Sequence, residues 1–245
     1  MLLRGGEVVD VDGRRAADVR VDRWGKVAEV GPSLEAEPGE EVVECDGRLV
    51  IPGGIDAHTH LHLPIGNIAV SDDFDTGSKA AAIGGTTTLV DYVTAYRGED
   101  PMAALATWQR LARPSAIDWG LHMTFTEQVA EATIASCVEA GVTSFKLYMA
   151  YPELLQVDAE TIVSIMSAAH SHGGLVTLHA ENGGAIQALR AQALAAGRTG
   201  VVEHSRTRPA ILEAEATTRA AALAEVVGAP VYIVHFTQAA ALEQA

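Results

Sequence analysis

Leu49-Val50-Ile51-Pro52-Gly53-Gly54-Ile55-Asp56-Ala57-His58-Thr59-His60 is the stretch on which the fold turns. An apolar run meets Pro-Gly-Gly and ends in two histidines spaced two apart. In an extended segment alternate side chains share a face, so His58 and His60 project to the same side. From Leu49 onward, strand-like apolar runs alternate with alanine-rich stretches at helical spacing. The strand candidates are 49–55, 86–93, 119–124, 144–149, 175–179 and 231–235. Helices are expected over 75–83, 102–111, 126–140, 159–172, 184–196 and 209–227. Gly84, Gly141, Gly173 and Gly228 each follow a helix, where a left-handed cap is wanted. Such alternation predicts an α/β fold, a parallel sheet covered by helices.

Residues 1–48 have a different texture. Short β-branched runs (Val8-Val9-Asp10-Val11, Ala17-Asp18-Val19-Arg20-Val21, Val27-Ala28-Glu29-Val30) are punctuated by Asp12-Gly13, Gly25 and Gly31. They predict a small antiparallel meander. Residues 32–40 are polar with two prolines and read as a loop, and 41–45 add one more strand. The expected domains are therefore 1–48, a small β module, and 49–245.

Composition removes several function classes. The 245 residues carry a formal charge of −15, which argues against nucleic-acid partners that need a basic face. With 48% hydrophobic and 20% charged residues the chain is globular. No apolar run reaches membrane-spanning length, and no membrane partner is expected. Cys45 and Cys137 form no disulfide framework, which predicts a reducing, cytoplasmic location. The sequence contains no Gly-x-Ser-x-Gly elbow, no phosphate-binding Gly-x-x-x-x-Gly-Lys loop and no His-Glu-x-x-His.

Chemistry concentrates at strand ends. His58 and His60 together could grip one divalent cation, or they could be satisfied polar residues in a loop. Lys146 lies in Ser144-Phe145-Lys146-Leu147-Tyr148-Met149, otherwise a core strand, in a chain with only three lysines. A buried ammonium there is costly unless paired with an acid or snorkelling to the barrel mouth. The third reading is a neutral lysine carbamylated by carbon dioxide, which arginine could not imitate because its guanidinium stays protonated. His179 and His235 end the apolar runs 175–178 and 231–234, the position where α/β barrels assemble their sites. His62 is left unassigned. His122 could support the site's ligands or be a satisfied core histidine, the latter favoured; His170 and His172 read as helix-end residues meeting carbonyls, and His204 as a structural loop residue.

With these residues in view, the chain resembles the dihydropyrimidinase and D-hydantoinase group of cyclic amidohydrolases over nearly its whole length. The markers are Pro52 to Leu61, Asp72-Asp73-Phe74, Gly84-Gly85-Thr86-Thr87, Ser144 to Tyr151, His179-Ala180-Glu181-Asn182-Gly183 and Thr207-Arg208-Pro209. Allantoinases and dihydroorotases share the His-x-His but match these runs less well. The resemblance implies a (β/α)8 TIM-like barrel and an N-terminal half of a small β-sandwich. It further implies two divalent metal ions, usually zinc. His58 and His60 would bind one, His179 and His235 the other, with carbamylated Lys146 bridging them. Tyr151 matches a tyrosine that bonds the substrate carbonyl. The implied reaction is hydrolysis of the cyclic amide of dihydropyrimidines or 5-substituted hydantoins to N-carbamoyl amino acids. A metal-bound hydroxide would be the nucleophile, and the enzyme would be a homotetramer.

The chain also departs from that pattern. Six strand candidates end at His235, and residues 49–245 fall short of the about 250 that such a barrel takes. The barrel is thus expected to be truncated after about six strands. Two strand–helix units, about 60 residues, and the aspartate that ends the last strand in the family are expected to be missing. None of Asp56, Asp72 and Asp91 matches that position; Asp56 reads as an orienting residue. Residues 1–245 alone are therefore expected to be inactive and poorly soluble. The competing readings are a non-catalytic scaffold relative and another cyclic amidohydrolase such as an allantoinase.

Overall fold

The computed structural model describes residues 1–65 and 67–244; Gly66 and Ala245, both inside the expected segment 49–245, lie outside the described residues. The chain divides into two compact units, Met1–Gly54 and Ile55–Ala245.

The first unit is one sheet. Strands β1 (Leu2–Asp10), β2 (Gly13–Val21) and β3 (Val27–Gly31) form an antiparallel meander. Strands β4 (Val42–Glu44) and β5 (Leu49–Val50) both pair with β1 in parallel. The sheet is therefore mixed, where a purely antiparallel module was expected. The loop over 32–40 lets the chain cross back, so β4 enters in the direction of β1. Val8, Ala17 and Val19 make its small core, with Val50 packed against them. The register of β1 shifts between Leu3 and Gly6, and the Gly5 amide there donates to buried Asp18 at 2.7 Å. The second Asp18 oxygen accepts from the Leu34 amide at 2.8 Å, tying the long loop to the sheet.

The run expected as one strand over 49–55 is split. Leu49–Val50 belongs to the small sheet, and the next strand begins at Gly54. Pro52 lacks the N–H that a continuous ladder needs, and this breaks the strand.

In the second unit β6 (Gly54–Thr59) is followed by a two-stranded ribbon of β7 (Pro64–Ile65) and β8 (Ile68–Ala69). The remaining elements alternate: α1 (Phe74–Ile83), β9 (Thr86–Ala95), α2 (Pro101–Ala112), β10 (Asp118–Phe125), α3 (Glu131–Glu139), β11 (Ser144–Tyr148), α4 (Ala159–Ser171), β12 (Leu175–His179), α5 (Gly183–Ala195), α6 (Glu203–Arg206), α7 (Ile211–Val227), β13 (Val231–Val234) and α8 (Ala239–Leu242). The sheet order β6-β9-β10-β11-β12-β13 follows the sequence, with parallel pairing, and makes a six-stranded half-barrel. No helix among the described residues is long and apolar enough to cross a membrane.

Several helices begin where a side chain satisfies their free backbone groups. Asp73 and Thr76 form a reciprocal capping box on α1, Asp100 caps α2 ahead of Pro101, and Asp158 caps α4. Gly228 ends α7 in the left-handed conformation. After α1 the left-handed residue is Gly85, not Gly84 as expected, because Gly84 is still right-handed. Helix α3 is shorter than the expected 126–140, since the Thr126 hydroxyl bonds the Ala95 carbonyl and holds the chain against the end of β9. Helix α4 buries Ile162, Ile165, Met166 and Ala169, one stripe at helical spacing. They join Met123, Phe125, Phe145, Leu147, Val176 and Leu178 in the core between sheet and helices.

Candidate metal centre

Strand alternation sorts the sheet residues onto two faces. Phe145 and Leu147 face the helices, so Lys146 between them points to the other, concave side. Register places Lys146 beside Thr124 on β10 and Thr177 on β12, and all three are buried. The layer toward the strand ends holds Tyr148 beside His179. On the N-terminal side of Lys146 the register places Tyr92 beside His122.

The four expected histidines converge on this face. The ring centres of His58 and His60 are 5.2 Å apart, those of His58 and His235 4.5 Å, and those of His179 and His235 5.3 Å. His58 lies in β6 and His60 directly follows it, His179 ends β12, and His235 follows β13 in a left-handed conformation, φ 61°. Lys146 Nζ lies 5.5 Å from the centre of the Tyr92 ring and 5.0 Å from that of Tyr148. Among the described residues no three His, Cys, Asp or Glu side chains are drawn together in metal-binding geometry.

Three nitrogens in this cluster are buried without a hydrogen-bond partner among the described residues: His58 Nε2, His60 Nδ1 and Lys146 Nζ. Unsatisfied buried polar atoms are costly and rare in native proteins. Burial sets their protonation. It pulls Lys146 down to about 7. Burial, helped by the charge of Lys146, pulls His58 down to about 3 and His235 to about 4, and lowers His60 as well. The imidazoles are therefore neutral at pH 7 and offer lone pairs, the donor chemistry that a divalent cation takes.

The surrounding residues hold the histidines in place. Asp56 accepts from the His58 backbone N–H at 3.1 Å, a local contact two residues along the chain. His122 bonds the Ala57 carbonyl through Nε2 at 2.9 Å and the Ser144 hydroxyl through Nδ1, and so is satisfied at both ring nitrogens. Burial lowers its pKa, consistent with a neutral ring. His179 Nε2 lies 2.7 Å from Glu181 Oε2, and this contact holds the carboxyl below its ordinary value. The run His179-Ala180-Glu181-Asn182-Gly183 takes the chain from β12 into α5: Asn182 caps the helix by accepting from the Ala185 amide, and Gly183 sits against Ala150 and Met149 too closely for a side chain.

Tyr151 follows β11 with φ 62°, an outlier for an aromatic residue, and its ring centre is 5.4 Å from that of His179. It borders a cavity of about 220 Å³ also lined by Leu154, Glu181, Ile186, Arg190 and Arg208.

Several site neighbours were not read from the sequence. Asp91 is an acid inside the apolar run of β9, which was signal enough, and Tyr92 beside it lies under three imidazoles. Among the remaining histidines, His172 caps α4 but turns its ring to Glu131 on α3, not to helix carbonyls as expected. His204 lies on α6 rather than in a loop and contacts Arg208. His62 stacks on Phe74.

The sequence model of the amidohydrolase family matches residues 49–231, three quarters of the chain. The chain belongs to the amidohydrolase family. Within that family its relatives are hydantoinases and dihydropyrimidinases. A D-hydantoinase of Streptomyces coelicolor is 43% identical over 250 residues, covering 99% of this chain and 53% of that protein. Dihydropyrimidinase 2 of Caenorhabditis elegans is 39% identical over 240 residues, covering 96% and 46%. The crystal structure of dihydropyrimidinase from Brevibacillus agri matches with a TM-score of 0.95 at 41% identity, over 99% of this chain and 53% of that one. This amidohydrolase chain thus spans about half the length of the relatives it matches.

Proposed function

We propose that this chain carries the metal-binding machinery of a cyclic amidohydrolase that opens the ring amide of dihydropyrimidines or 5-substituted hydantoins to N-carbamoyl amino acids. The observation that carries the reading is the set of three buried, unpartnered nitrogens on His58, His60 and Lys146. The donor set fits a pair of divalent ions of the zinc type. His58 and His60 would hold one, His179 and His235 the other, and Lys146 would stand between them as its carbamate. When bound, such ions supply Lewis acidity for amide hydrolysis at neutral pH.

The chain's own residues do the rest. With its pKa near 7, Lys146 presents free amine in quantity at neutral pH. Its nitrogen can attack carbon dioxide and lose a proton, leaving a carbamate anion where a buried cation stood. Asp56 and His122 together hold the Ala57–His58 peptide of β6, one at its N–H and the other at its carbonyl. The Tyr151 phenol, whose pKa burial raises, keeps its proton. It can donate a hydrogen bond to a substrate carbonyl oxygen as negative charge builds there. The cavity beside it, bordered also by Glu181 and Arg208, gives a small planar ring a place next to Tyr151.

Since residues 1–245 alone are expected to be inactive, the test is ring opening by a form extended to the length of its relatives, purified and supplied with zinc and bicarbonate, with dihydrouracil, a 5-monosubstituted hydantoin and allantoin as substrates. Release of the N-carbamoyl amino acid from the first two, lost in His58→Ala and His179→Ala, is expected. No turnover of either by metal-loaded, folded protein contradicts the reading.

A further inference from the structure

Asp91 and Tyr92 are consecutive on β9 and point to opposite faces of the sheet, yet both reach the end of β6, where His58 and His60 lie. On the concave face the Tyr92 hydroxyl is 3.2 Å from His58 Nδ1. The Tyr92 ring lies 4.6 Å from that of His58 and stacks on His60 at 5.0 Å. On the helix-facing side Asp91 is 1% exposed. Its Oδ2 accepts from the Leu61 amide at 2.7 Å and the Thr59 hydroxyl at 2.9 Å, and its Oδ1 from Trp108 Nε1 at 3.2 Å. One carboxylate therefore grips both sequence neighbours of His60 and ties them to α2.

The tyrosine contact has a chemical consequence. A neutral imidazole carries one hydrogen, on either Nδ1 or Nε2. If the phenol donates to Nδ1, Nε2 is a buried N–H with nothing to receive it. If the phenol accepts from Nδ1–H, Nε2 presents a lone pair to the concave face.

We propose that Tyr92 and Asp91 are the positioning residues of His58 and His60: Tyr92 accepts the Nδ1–H of His58 and leaves Nε2 free to ligate, while Asp91 holds the Thr59 hydroxyl and the Leu61 amide on either side of His60. The proposal rests on the reading of these histidines as metal ligands, and its two parts are separable from that reading. A tyrosine hydroxyl and a buried carboxylate serve here as partners that set ligand tautomer and orientation.

The experiment uses the full chain, metal-free and uniformly labelled with nitrogen-15. Long-range proton–nitrogen spectra report each histidine tautomer, with His58 assigned by the signal missing in His58→Gln, and a zinc titration follows. Wild-type His58 is expected in the Nδ1–H form. In Tyr92→Phe, which removes only the hydroxyl, that form gives way to a mixture, and zinc binds roughly 10- to 100-fold more weakly. Asp91→Asn, with Thr59→Val as a milder second variant, weakens zinc binding and leaves the His58 tautomer as in wild type. Trp108→Phe, which cuts only the Oδ1 contact, leaves the tautomer unchanged too. An Nε2–H form in the wild type, or wild-type tautomer and zinc affinity in Tyr92→Phe, overturns the role of Tyr92. Unchanged zinc affinity in both Asp91→Asn and Thr59→Val overturns that of Asp91. A wild type that shows the Nδ1–H form, loses it in Tyr92→Phe, and yet takes up no zinc supports the orientation of His58 while removing the ligand reading.

Discussion

The ammonium of Lys146 stands 5.0 Å from the centre of the Tyr148 ring, fully buried, with no hydrogen-bond acceptor among the described residues. Two aromatic faces attract a cation weakly, and that does not replace water around it. The residue thus costs stability, which the proposed carbamate would offset.

Lys146→Met keeps the volume and removes the charge. The metal-free variant is expected to be more stable than wild type by about 1–3 kcal/mol, read as a higher urea midpoint at unchanged slope. Its zinc content is expected to fall. A loss of stability would show that Lys146 is held by partners that the geometry does not contain.

Tyr151 is the second place where local preference is overridden. Its left-handed backbone costs of order 1 kcal/mol or more for an aromatic residue. Tyr151→Asn, a residue that tolerates this conformation, should leave the chain as stable or up to about 1 kcal/mol more so. It should also abolish any ring-opening activity. Thermal denaturation and the product assay check the two halves; a clear fall in Tm means that the ring itself carries packing.

Much of this was legible in the residues. The strand–helix alternation after Leu49, the paired His58 and His60, and the odd lysine in an apolar strand are local patterns, and the half-barrel follows from them. What escaped depends on tertiary contact. The parallel entry of β4 and β5 is set by where a loop crosses, not by the composition of either strand. The split at Pro52 was hidden by apolar residues on both sides of it. Asp91 stood out as an acid in an apolar run, but what it and Tyr92 hold shows only once β6 lies beside them.

Gly183 tests how tightly the site is built. A Cβ there would stand 2.8 Å from Ala150 Cα and 3.1 Å from the Met149 carbonyl, atoms that cannot rotate away. Gly183→Ala should cost about 1–3 kcal/mol and displace the start of α5, and with it Glu181 beside His179. Denaturant unfolding measures the cost. A neutral substitution would mean that this turn is looser than its contacts imply.

Asp18 gives the first unit an acid-sensitive fastening. Backbone N–H donors of Leu34 and Gly5 hold its carboxyl below the ordinary value of 3.8. A depressed folded value means that the stabilisation is complete above the unfolded value and is lost as pH falls through the folded one. Amide exchange at Gly5 and Leu34 should therefore stay slow above pH 4 and lose its protection below it. Asp18→Asn, costing about 1–3 kcal/mol at pH 7, should remove the acid-dependent part of that loss. An unchanged acid profile in the variant contradicts the assignment.

The buried lysine and the four histidines are proposed to hold a pair of metal ions. Metal analysis of protein purified without chelator, combined with carbon-13 spectra after exposure to labelled bicarbonate, tests it most directly. About two divalent ions per chain and a carbamate signal that disappears in Lys146→Met are predicted. Folded protein that takes up no metal and leaves Lys146 as a free amine would contradict it.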